Sequence, residues 1–80
     1  GWSMPLQDMP LWLRGLPGSN GRDVQRDKYG RIVSFNLTDS TGIIWQLEYQ
    51  SFFNDSLALP KRIVLSSSDS QIKVVVRSWQ

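Results

Sequence analysis

Val33-Ser34-Phe35-Asn36-Leu37-Thr38, then Asp39-Ser40-Thr41-Gly42, then Ile43-Ile44-Trp45-Gln46-Leu47-Glu48-Tyr49-Gln50 runs apolar and polar side chains in alternation on both sides of a turn. A period of two over six or more residues marks a strand with one face buried. Val33, Phe35 and Leu37 fall on one face, against Ser34, Asn36 and Thr38 on the other. After the turn, Ile43, Trp45, Leu47 and Tyr49 share a face, against Gln46, Glu48 and Gln50. Two such strands joined by so short a loop form an antiparallel hairpin.

The same reading extends downstream. Ser51 to Leu59 is a longer loop that begins with Phe52 and Phe53. Pro60 blocks a ladder hydrogen bond and marks the start of the next strand. Lys61 to Ser66 carries Ile63 and Leu65 on one side, with Arg62, Val64 and Ser66 on the other. Ser67-Ser68-Asp69-Ser70 turns the chain again. The last strand places Ile72, Val74 and Val76 inward, with Lys73, Val75 and Arg77 outward and Trp79 on that second side.

Upstream the signals are of another kind. Lys28-Tyr29-Gly30 makes a turn after a short strand at Val24 to Asp27, and Ser19 to Asp23 is polar and turn-rich. Pro5 to Gly15 reads as a short helix: Asp8 is its N-cap, Pro10 suits the first turn, and Gly15 with Leu16-Pro17 ends it. Leu11, Trp12 and Met9 are expected to face the sheet. The fold class is mainly β, with one short N-terminal helix and an antiparallel meander of four or five strands. It is a single partial domain over residues 1–80, with helix and cap in 1–18 and strands in 24–80.

Composition removes whole classes of function. The 80 residues contain no cysteine and no histidine. Disulfides, thiolate or imidazole metal sites, and triads or dyads built on His or Cys are therefore excluded. A net charge of +2, from nine basic and seven acidic residues with no block of one sign, gives no electrostatic footprint for nucleic acid or an anionic membrane. Asp23, Asp27, Glu48 and Asp69 are scattered over turns and the polar face, so no carboxylate pair converges. The serine cluster from Ser66 to Ser70 is a turn without GxSxG, and the glycines form neither GxGxxG nor a phosphate loop. No enzyme and no cofactor are expected. No run spans a bilayer, and Gly1-Trp2-Ser3 lacks the order of a signal peptide.

Trp45, Leu47 and Tyr49, set against Val33, Phe35 and Leu37, form the densest apolar patch. It reads as an ordinary core or as the wall of a ligand cavity. A base-stacking platform requires exposed aromatics interleaved with basic residues, and here the aromatics lie on the apolar side. Only the stretch around Leu11, Trp12 and Leu13 is offered as cover for the sheet. At this size a core is marginal, so the sequence predicts that the face closes on a partner chain, a second copy or an apolar ligand, and that the segment is no self-sufficient monomer. Phe52 and Phe53, like Trp2 and Trp12, read either as a lid or as local packing. Trp79 reads as a solvent-side cover or as a contact with further chain. Leu57-Ala58-Leu59 reads as a membrane-touching loop or as a simple loop contact.

Several local patterns occur together in one order: Gly15-Leu16-Pro17-Gly18 after a Trp-containing helix, Trp45-Gln46-Leu47-Glu48-Tyr49 as a return strand, Leu59-Pro60 ahead of Ile63 and Leu65, and Ile72-Lys73-Val74 running to Trp79. Over nearly its whole length the chain resembles the C-terminal part of the LolB family, outer-membrane lipoprotein receptors of Gram-negative bacteria. The resemblance implies part of a half-open β-barrel, with helices over its mouth. Its interior would take lipoprotein acyl chains from the periplasmic carrier LolA, for delivery into the inner leaflet of the outer membrane. By that resemblance Trp45, Leu47, Tyr49, Ile63, Leu65, Ile72 and Val74 would line the cavity, under a lid carrying Leu11 and Trp12. Val33, Phe35, Leu37 and Val76 join them from the alternation. The acylated N-terminal Cys that anchors the family is absent here, as are its early strands and protruding apolar loop. The resemblance therefore implies a fragment, itself soluble, of a parent at the periplasmic face of the outer membrane, or half of a homodimer. The other reading of the same face is an oligomerisation module in which it is only a dimer core.

Overall fold

The computed structural model describes residues 8–18, 20–54 and 57–78, so Trp2 and Trp79 lie outside the described residues. A one-turn helix α1 (Met9–Trp12) precedes five strands: β1 (Arg22–Arg26), β2 (Ile32–Thr38), β3 (Ile44–Phe52), β4 (Pro60–Ser66) and β5 (Gln71–Val75). They pair in chain order as one antiparallel meander, an open sheet with β1 and β5 as its edges. The mainly β class and the meander agree with the alternation.

Two of the turns use one device twice. In Asp27-Lys28-Tyr29-Gly30-Arg31, Asp27 Oδ1 accepts the amides of Tyr29 (2.9 Å) and Arg31 (3.0 Å), and the Gly30 amide bonds the Asp27 carbonyl at 3.0 Å. In Asp39-Ser40-Thr41-Gly42-Ile43, Asp39 Oδ1 accepts the amides of Thr41 (2.9 Å) and Ile43 (3.0 Å), and the Gly42 amide bonds the Asp39 carbonyl at 3.1 Å. Each loop ends on a glycine in the left-handed region, Gly30 at φ +81° and Gly42 at φ +88°. This is the three-residue hairpin in which a glycine bulge matches the turn to the twist of the strands.

The ladders align the inward side chains in rows. Phe35 pairs Leu47, Leu47 pairs Leu65, and Leu65 pairs Ile72; Tyr49 pairs Ile63, and Ile63 pairs Val74; Leu37 pairs Trp45. Register shifts twice between β3 and β4, on either side of Ser51, and twice between β1 and β2, where Asp23 takes φ +55°. Such bulges bend a strand and strengthen its twist.

The expectation of an uncovered apolar face needs correction. Trp12, Leu47, Ile63 and Leu65 are fully buried within the chain, and Phe35, Leu37, Trp45 and Tyr49 are nearly so. The alternation told which side chains point inward; the ladders set them side by side, and Trp12 packs on them. With the inner face filled from within, a face-to-face dimer core has little surface left to cover. Two further departures are local. β1 begins at Arg22, because its bulges break the alternation that would have revealed it. Ile32 is buried in the core, whereas Val33 is half-buried and outside it, at the end of β2 beyond its last described pairing with β3 at Ser34.

Candidate functional site

The inner face and the helix over it form the candidate site. Met9, Trp12 and Leu13, spaced i, i+3 and i+4, turn toward the core, as one face of a helix must. Leu11 lies about 100° around the helix from Trp12 and is 39% exposed, so Trp12 and not Leu11 faces the sheet. The Asp8 carboxylate does not cap the helix; it accepts a bond from Asn20 Nδ2 at 3.0 Å and ties the preceding residue to the following loop. A Cβ placed on Gly15 would stand 3.5 Å from Pro60 Cγ, so the chain leaving α1 runs against the start of β4.

A hydrogen bond links α1 to β3 from inside. The Tyr49 hydroxyl donates to the Trp12 carbonyl, 37 residues away in sequence. Burial pushes the Tyr49 phenol well above its ordinary range, only partly offset by the Gly15 backbone amide, so the group stays a neutral donor. Its ring packs at 6.0 Å from Phe35 and 5.9 Å from Phe52, tilted against both. Phe52 is thus part of the core's margin, with the Arg31 guanidinium 4.1 Å above its ring. Phe53 closes the following loop instead: its amide bonds the Leu59 carbonyl at 2.8 Å, and Lys61 Nζ lies 5.8 Å from its ring centre. In that loop Leu57 is exposed and Leu59 half-buried.

The other polar group at the inner face is Asp39. Besides the turn amides it accepts the Thr41 hydroxyl at 2.7 Å, and its second oxygen accepts the buried Trp45 indole N–H at 3.0 Å. The bonds from Trp45 and then Thr41, joined by the backbone amides of Ile43 and Thr41, outweigh the desolvation of the charge. They hold the carboxyl far below the ordinary aspartate range. Sequence reasoning found the turn but not this tie, whose signal is an Asp at the turn six residues before an inward Trp. Asp27 lacks such a partner; its second oxygen takes Arg31 Nε at 3.1 Å. There desolvation pushes the carboxyl up, but the amides of Arg31 and Tyr29 and the Arg31 guanidinium outweigh it, and the group lies below its usual value.

Of the residues expected to line the face, Phe35, Leu37, Trp45, Leu47, Tyr49, Ile63 and Leu65 come together in one cluster with Trp12. Ile72 and Val74 pack half-buried along its β5 margin. Val33 and Val76 are half-buried too, outside the cluster. Sequence reasoning missed Ile32, and it missed Val64. Val64 is buried on the outer face between its paired neighbours Glu48 and Lys73, whose aliphatic stems can cover it. The buried side-chain nitrogens and oxygens among the described residues all have partners. No group of three or more His, Cys, Asp or Glu among them is placed to hold a metal.

A family model described as "Outer membrane lipoprotein LolB" matches residues 1–79. The chain belongs to the LolB family. Similar curated proteins, each named outer-membrane lipoprotein LolB, come from Shewanella baltica (36% identical over the whole chain), Sodalis glossinidius (35% over 99% of it) and Tolumonas auensis (27% over the whole chain). The chain spans only 37 or 38% of the length of these relatives. No solved structure matches it. The LolB relatives are thus lipoproteins of the outer membrane by name, and no helix among the described residues is long and apolar enough to cross a membrane.

Proposed function

We propose that this chain is the lipid-binding portion of a lipoprotein-localisation receptor. In this reading it accepts acylated lipoproteins from a periplasmic carrier, LolA, and passes them to the inner leaflet of the outer membrane. The observation that carries the reading is the docking of α1: a four-residue helix places one indole in the centre of an apolar face, and the Tyr49–Trp12 bond ties it to β3 from inside. An acyl chain is an apolar body that can take the place of that indole. The wall then consists of Phe35, Leu37, Trp45, Leu47, Tyr49, Ile63 and Leu65, continued by Val33, Ile72, Val74 and Val76 at its margins, with Leu11 and Trp12 moving as the lid.

The chemistry this requires is sequestration. Each methylene withdrawn from water contributes roughly 0.8 kcal/mol, and tolerant apolar walls suit acyl chains of varied length. The two polar side chains at the face serve its architecture. Asp39 is engaged by its turn and Trp45, and Tyr49 by α1. No covalent step is needed, and the reading is non-enzymatic.

The test is titration of a fluorescent long-chain acyl probe into the chain and into Tyr49→Phe and Leu47→Glu. Saturable binding is expected. Tyr49→Phe keeps the ring but frees the helix from a bond worth about 1 kcal/mol, so the apparent Kd should fall up to about fivefold. Leu47→Glu puts a charge at the centre of the wall and should abolish binding. Absence of saturable binding by both the native chain and Tyr49→Phe, each folded by circular dichroism, overturns the proposal.

A further inference from the structure

β5 is an edge strand of unusual regularity, and its sequence is matched to a second copy of itself. The two edges of the sheet differ. The pairing of β1 with β2 has two register shifts, and Asp23 takes a left-handed backbone, devices that keep an edge from pairing. The β4–β5 ladder runs from Arg62–Val75 to Ser66–Gln71 without a break. Among the described residues nothing pairs with the far side of β5, where Val75 is 55% exposed. An unbroken edge that presents N–H and C=O groups outward is a template for another strand, and Lys73 limits the registers such a strand can take.

The backbone fixes which groups are offered. The Val76 amide donates to the Lys61 carbonyl at 2.8 Å, toward β4. In an antiparallel ladder alternate residues turn their N–H and C=O to opposite neighbours, so Ile72, Val74 and Val76 bond β4 while Lys73 and Val75 present theirs outward. Charge then selects the register. Centring a two-fold axis on Lys73 opposes two lysines, and centring it on Val75 sets Lys73 against Arg77. Either juxtaposition is destabilising. Centring it on Val74 sets Lys73 against Val75 of the other copy and Gln71 against Arg77. No like charges then face each other, and the outward-presented groups meet as hydrogen-bonded pairs.

We infer that two copies of this chain associate through antiparallel β5–β5 pairing about Val74, forming one continuous ten-stranded sheet. The axis stands normal to the sheet, so both inner faces lie on the same side. The row from Phe35 through Leu47, Leu65 and Ile72 is thereby continued by Val76 of the second copy, and the apolar face is extended by its partner. This edge contact leaves the filled inner face undisturbed and stands independently of acyl binding.

Sedimentation of the chain over a concentration series up to the millimolar range should show a monomer–dimer equilibrium. Val75→Glu places a carboxylate between Arg62 of its own chain and Lys73 of the other. With two such pairs per dimer, the dissociation constant should fall roughly 2- to 30-fold. Val75→Lys should raise it by a similar factor. An excess of a synthetic peptide spanning residues 71–77 should convert the dimer into a peptide complex. A monomer throughout the series overturns the inference. So does a dimer weakened by Val75→Glu, since only a Val75-centred register opposes glutamate to glutamate. A dimer indifferent to the peptide and to both variants is formed by another surface and overturns it as well.

Discussion

At the scale of the residue, Asp39 contributes more to the fold than its polarity suggests. Its carboxylate accepts two backbone amides, a hydroxyl and a buried indole N–H, and only 7% of the residue is exposed. Since these bonds favour the charged form, the folded-state pKa lies below the unfolded one. Asp39 therefore contributes stability that is present above the unfolded value, near 3.8, and is lost as pH falls through the range below it. Asp39→Asn removes acceptor capacity at the shared oxygen or at the indole. It should lower Tm at neutral pH, and the gap from the native chain should narrow as pH is brought from about 5 to about 2, where the native carboxylate is itself being protonated. Thermal melts of both proteins across that range check it. Asp27→Asn should lower Tm less, because Asp27 holds a turn and one partly exposed guanidinium but no core side chain. Equal shifts for the two variants would show that the Trp45 bond adds nothing. Trp45 itself was legible as an inward residue from alternation. Its bond was not, because period two reports the face of a strand and says nothing about which turn oxygen reaches it.

At the scale of the element, the two Asp-x-x-Gly hairpins separate backbone cost from packing cost. A Cβ on Gly30 or Gly42 meets no atom within 4 Å, so substitution there causes no clash, and what remains is the left-handed backbone. Gly42→Ala should therefore destabilise by roughly 1–2 kcal/mol, with Gly30→Ala of similar size. D-alanine introduced at position 42 by chemical synthesis should recover that loss, as the same backbone is allowed to the opposite hand. Chemical denaturation of the three proteins measures this, and failure of D-alanine to recover stability would mean the cost lies outside the turn. These hairpins were readable because Asp and Gly at fixed offsets are turn chemistry in themselves. α1 was less so: in a single turn, periodicity cannot distinguish Leu11 from Trp12, and the sheet beneath decides. β1 was the least readable, since its bulges shift the pairing that alternation presupposes.

At the scale of the whole molecule, the order of the strands sets a gradient of stability. β3 and β4 are paired on both sides and contain Leu47, Ile63 and Leu65, all fully buried; β1 is paired on one side and offers the core only a half-buried Val24. How far the sheet wraps was the part of the fold hidden from sequence, because alternation assigns each residue a face but not a curvature. Cover that was expected from outside is supplied within by Trp12, with Met9 and Leu13 beside it. Native-state amide exchange should follow this arrangement, with β3 and β4 most protected, β2 next and β1 least. β5 should behave differently from all of them. The amides of Ile72, Val74 and Val76 point to β4 and should be protected at any protein concentration, whereas those of Lys73 and Val75 point outward and should exchange freely in dilute solution. Raising the concentration should slow the second pair alone, because only β5–β5 pairing supplies them with carbonyl acceptors. Protection that rises with concentration on even and odd positions alike would instead report tightening of the β4–β5 ladder, and the edge would then have no partner strand.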